Sequence, residues 1–81
     1  MWWIVYYWDH DPVLRSNFVN QHKFDSLSSA LEFAQLHNAR VLNTLTNDCY
    51  YLDDGDVLVW TPDADDWQYL CSFQSILENE E

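Results

Sequence analysis

The sequence predicts an α+β fold, a curved antiparallel sheet of about four to five strands with one helix packed on it, in a single domain spanning residues 1–81. Three observations carry that expectation. Residues 2–8 (WWIVYYW) are aromatic and β-branched throughout, the composition of a strand. Residues 26–37 repeat apolar side chains at helical spacing. Residues 48–73 alternate apolar runs with Asp-rich turns, and Asp54-Gly55 between CYYLD and DVLVW is a strong hairpin signal. A chain of 81 residues supports one modest core, burying about 60–65% of the surface its unfolded form exposes. A hydrophobic content of 48%, with one Gly and two Pro, argues against a disordered linker.

Along the first strand, Trp2, Ile4, Tyr6 and Trp8 alternate with Trp3, Val5 and Tyr7. Both faces are apolar, the pattern of a central strand covered on both sides. Asp9-His10-Asp11-Pro12 ends it, because proline lacks an amide donor and restricts the residue before it. Residues 13–24 show no clear period. They read as a loop with a short strand or helical turn, with Phe18, Val19 and Phe24 folded back onto the core. In the helix, Leu27, Ala30, Leu31 and Ala34 fall at i, i+3, i+4 and i+7, and Phe33 and Leu36 widen the stripe. Asp25 or Ser26 suits the N-cap, and Ser29 with Glu32 offers a capping box. Asn38 suits a left-handed terminator. Residues 39–45 read as a strand with Val41 and Leu45 on one face and Leu42 on the other.

The rest is a meander, giving the order β-α-β-β-β-β. A two-residue turn at Asp54-Gly55 sets Asp53 opposite Asp56, Tyr51 opposite Leu58 and Cys49 opposite Trp60. A second turn in residues 61–66 then sets Trp60 opposite Trp67, Leu58 opposite Tyr69 and Asp56 opposite Cys71. One face collects Cys49, Tyr51, Leu58, Trp60, Trp67, Tyr69, Cys71 and Phe73. The other collects Tyr50, Leu52, Val57, Val59 and Leu70. One helix covers only one of these faces, so either residues 13–24 cover the second or it binds a partner. The tail SILENEE reads as a short helical turn or a frayed end.

Little in the sequence selects chemistry. In this register Cys49 and Cys71 sit on strands separated by a third, too far apart for a disulfide, and read as free thiols in a reducing compartment. Asp9, His10 and Asp11 are suitable metal-ligand types. On an extended strand, however, His10 points away from both aspartates, and no CxxC or HxxxH spacing is present. The DDGD turn lacks the ligand pattern of a calcium loop. No phosphate-cradling glycine loop or nucleophile elbow occurs. The expectation is a non-enzymatic protein with no cofactor and no metal.

Charge is the sharpest feature. Of the net −11, residues 1–40 contribute −1, with four acids (Asp9, Asp11, Asp25, Glu32) and three bases (Arg15, Lys23, Arg40); residues 41–81 hold ten acids and no base. Self-repulsion of that size disfavours the compact state and suits a cationic partner. Direct nucleic-acid binding is opposed, since phosphate contacts need Lys and Arg. No stretch approaches the roughly 20 apolar residues of a membrane span, and the N-terminus lacks a basic region and a cleavage site. The expected location is the cytoplasm of a bacterium or a virus-infected host cell.

In size, charge and aromatic content the chain is similar to phage-encoded DNA mimics, the anti-restriction and anti-CRISPR proteins. That resemblance of class implies a non-catalytic inhibitor occupying the cationic nucleic-acid-binding surface of a protein target, such as a nucleic-acid-binding enzyme or effector complex. The residues expected to bind the partner are Asp9, Asp11, Asp53, Asp54, Asp56, Asp63, Asp65 and Asp66, with Trp60, Trp67 and Tyr69. The alternative is an acidic adaptor or antitoxin-like module that uses the aromatic sheet face on a basic protein unrelated to nucleic acid. A homodimer is compatible with either.

Overall fold

Bulky residues alternate from Trp3 onward and make the strand on which the sheet is laid out. The computed structural model describes residues 2–80. Its elements are β1 (Trp3–Asp11), β2 (Ser16–Phe24), α1 (Leu27–Leu36), β3 (Arg40–Asn43), β4 (Cys49–Asp53), β5 (Asp56–Trp60), β6 (Gln68–Ser72) and α2 (Phe73–Asn79). The strands form one open antiparallel sheet in the order β2-β1-β3-β4-β5-β6. The predicted class holds, with six strands in place of four to five and a second helix.

The extra strand comes from the residues without a readable period. β2 pairs with all nine residues of β1, from Trp3 opposite Phe24 to Asp11 opposite Ser16. The DHDP sequence therefore does not end β1; proline falls in the turn, which Arg15 closes at φ 54°. Because β2 extends the sheet sideways, it covers neither face. Phe24 packs against the core, whereas Phe18 and Val19 are exposed.

The main core cluster lies on one side, and Ile4, between Lys23 and Leu42 on the opposite face, is buried outside it. Val5, Val41, Tyr50 and Val57 come from neighbouring strands and meet Ala30, Leu31 and Ala34 of α1. The helix starts where Ser26 accepts a hydrogen bond from the Ser29 amide, and it stops before Asn38 at φ 52°. Leu36 lies outside the apolar stripe and is exposed. β3 is also shorter than the sequence suggests. The buried Asn43 accepts from the Leu45 amide at 2.9 Å through Oδ1, and its carbonyl accepts from the Asn47 amide at 2.8 Å. That turn ejects Leu45 from the sheet.

The first meander register is as read: Asp53 faces Asp56, Tyr51 faces Leu58 and Cys49 faces Trp60. In the second, Leu58 faces Tyr69, but a bulge then sets Val57 opposite Cys71 and Asp56 opposite Ser72. Leu70 is the extra residue and is exposed. The bulge turns Cys71 and Phe73 onto the core side. Cys49 stays on the other face, and both thiols are free.

Candidate functional site

Strand alternation decides which residues share the uncovered side. Adjacent strands align Tyr6 with Arg40, Leu42 with Cys49, Cys49 with Trp60, Tyr51 with Leu58 and Leu58 with Tyr69. Neither helix packs here, since both α1 and α2 contact the opposite side through the core cluster. Tyr6, Trp60 and Tyr69 are accordingly exposed, Tyr69 to 62%. The expected central strand is thus internal in the sheet; helices pack on one face only, and on the other Ile4 is buried among its strand neighbours while Tyr6 and Trp8 are exposed.

Trp67 anchors this surface. Its ring meets Tyr51 edge-on at 4.9 Å and Trp60 edge-on at 5.5 Å, a favoured geometry for the aromatic quadrupole. The Arg40 guanidinium lies 4.5 Å from the Tyr51 centroid and 5.6 Å from that of Trp67, within cation–π range. Arg40 also borders a cleft of about 370 Å³ shared with Gln35, Asn38, Tyr51, Asp53 and Asp54.

The acid groups frame the aromatic surface. Asp54 (φ 49°) and Gly55 (φ 85°) both take left-handed backbone, as a type I′ hairpin turn requires. The turn is moored where the Gly55 carbonyl accepts from the Phe73 amide at 2.8 Å. Asp53 and Asp56 close it, aligned with Tyr51 and Leu58 on the open face. At the other end of the five-residue β5, about 17–20 Å away by strand geometry, the loop carries Asp63, Asp65 and Asp66. It is shaped by a turn from the Ala64 amide to the Thr61 carbonyl at 3.0 Å and by Asp66 Oδ1 accepting from the Trp67 amide at 2.7 Å. All six of these aspartates are exposed.

Asp9 and Asp11 point to the other face of the sheet, at the same end as the Asp53–Asp56 turn. They lie on the β1–β2 hairpin, two strands from the acidic turn, and their carboxylates serve local bonds. Asp11 Oδ1 accepts from the Val13 and Leu14 amides at 2.9 and 3.3 Å. Asp9 accepts from the His10 amide at 2.8 Å and from Asn20 Nδ2 at 3.3 Å. His10 Nδ1 lies 3.0 Å from Asn17 Oδ1. Among the described residues no group of three or more His, Cys, Asp or Glu is placed to hold a metal. No helix among them is long and apolar enough to cross a membrane.

Two participants were invisible in the sequence. Arg40 has no local signal, because its contacts come from strand pairing. Glu80 reads as part of an acidic tail, yet its carboxylate accepts from the Ser28 amide at 3.0 Å, the Ser26 hydroxyl at 3.1 Å and the Ser28 hydroxyl. It therefore caps the N-terminus of α1, 52 residues away, where the helix presents unsatisfied donors and positive charge. Burial alone would raise its pKa; the Ser28, Ser26 and Leu27 donors outweigh that and hold it below the usual glutamate range.

Comparison with protein-family models, curated proteins and solved structures finds no match to this chain.

Proposed function

We propose that this protein is a non-catalytic inhibitor that occupies the cationic nucleic-acid-binding surface of a protein target, presenting carboxylates where phosphates would lie. The observation that carries this reading is the pair of exposed aspartate clusters at opposite ends of β5, in a half-chain with no basic residue. DNA spaces its charges at about 1.7 Å of axis, and its binding proteins present matching Lys and Arg. Two clusters about 17–20 Å apart span a comparable length of such a channel. Attraction steers the encounter, and aromatic packing by Trp60, Trp67 and Tyr69 then slows dissociation. The target is a nucleic-acid-binding enzyme or effector complex, of the kind engaged by anti-restriction and anti-CRISPR proteins in the cytoplasm of an infected bacterium.

The uncovered aromatic face favours a second reading, an adaptor on a basic protein unrelated to nucleic acid. One experiment separates the two. Capture from bacterial lysate, with and without nuclease, identifies the target, and pre-bound DNA or guide RNA is then offered as competitor. Loss of binding on pre-loading, a fall of tenfold or more between about 0.1 and 0.5 M salt, and loss on changing Asp53, Asp54 and Asp56 to Lys support the mimic. Binding that ignores nucleic acid and salt sinks it and favours the adaptor.

A further inference from the structure

The two edges of the sheet are unlike. β6 is five residues long and broken by the bulge at Leu70, two devices that blunt an edge against further pairing. β2 is nine residues long, continuous in register and free of proline, and it ends the sheet with no strand beyond it. Its outward amides and carbonyls form a template for another strand, with Lys23 the one charge along it.

The segment behind that edge is also under-supported. β3 pairs with β1 only from Trp3 to Tyr6, so residues 8–11 and 16–19 project as a two-stranded ribbon, which is marginal on its own. Trp8, Phe18 and Val19 are exposed on it, at 74%, 40% and 52%, and Val13 and Leu14 are exposed at its tip.

Charge identifies the occupant. Residues 12–24 contain Arg15 and Lys23 and no acid, and with the flanking Asp9, Asp11 and Asp25 the β1–β2 hairpin is close to neutral. Two copies of a chain at −11 repel one another across most of their surface, and this stretch is where they approach at least cost. An antiparallel two-fold centred on Asn20 sets Asn17 opposite Lys23, Phe18 opposite His22 and Val19 opposite Gln21, and brings Arg15 level with Asp25. No like charges oppose one another, and the arrangement is isologous.

We propose that β2 pairs with β2 of a second copy, joining the two sheets into one twelve-stranded sheet with an aspartate meander at each end. The inference does not depend on the proposed function. Sedimentation equilibrium on the intact chain tests it. The expected result is a dimer that tightens as salt rises, opposite to the salt response of a cationic target. Val19→Lys and Gln21→Lys, at exposed edge positions, each weaken association at least tenfold with circular dichroism unchanged. Tyr69→Lys on the opposite edge strand leaves it intact. Hydrogen exchange of the β2 amides slows with concentration. A monomer at every concentration in high salt overturns the proposal, as does a dimer indifferent to both β2 lysines.

Discussion

Asp53 and Asp56 face one another across the β4–β5 hairpin as its closing pair, two exposed carboxylates directly opposed. Like charges directly opposite on adjacent strands destabilise the pair, and nothing in the packing of the hairpin requires both. Asp53→Asn is therefore expected to raise folding stability by about 0.2–1 kcal/mol, with a gain that shrinks as salt screens the repulsion. Urea unfolding at two salt concentrations measures it. On the proposed function the same substitution is expected to weaken target binding, so that stability and binding move in opposite directions.

The one-sided main core predicts a contrast between two large side chains. Leu31 is fully buried under the sheet, and Leu31→Ala should cost about 2–5 kcal/mol. Tyr69 lies on the uncovered face and is 62% exposed, and Tyr69→Ser should cost no more than about 1 kcal/mol. Equal losses in chemical denaturation would mean that the aromatic face is covered in solution.

Glu80 makes stability depend on pH with a definite sign. Its folded-state pKa is depressed, so its contribution is full above the unfolded value of about 4.3 and is lost as pH falls through the lower folded value. Glu80→Gln should lower stability at neutral pH by about 0.3–1 kcal/mol, the range for a charge at an exposed helix terminus. Melting curves of the two proteins should converge in acid. A constant gap down to the acid limit would remove Glu80 as the cap.

The two thiols should stay unlinked. Cys49 and Cys71 are free and lie on opposite faces, so a reductant leaves the melting temperature unchanged. Burial raises the Cys71 pKa, which reduces its thiolate fraction. Alkylation of Cys71 in the native protein at about pH 8 should therefore run slower than in urea, where it approaches an ordinary thiol with pKa about 8.5. Mass spectrometry of the labelled peptides gives the rates.

Much of the scaffold was written locally. The Asp54-Gly55 turn and the pairing of Asp53 with Asp56 follow from the backbone preference of two residues. The helix follows from the spacing of Leu27, Ala30, Leu31 and Ala34, and its end from Asn38. Charge segregation and the aspartate clusters are properties of composition and needed no fold.

What the sequence left open had no local cause. β2 lacks periodicity because neither of its faces is well covered, so its strand character comes from pairing with β1. The bulge at Leu70 changes the face of Cys71 and Phe73, since a single extra residue reverses every side chain beyond it. Arg40 reaches Tyr51 and Trp67, and Glu80 reaches Ser28, only after strands and helices distant in sequence have docked. The sequence by itself determined the helix, the acidic hairpin and the charge. The tertiary structure alone decided that the aromatic face stays open and that Asp9 and Asp11 lie on the opposite face from Asp53 and Asp56, because both depend on which strand lies beside which.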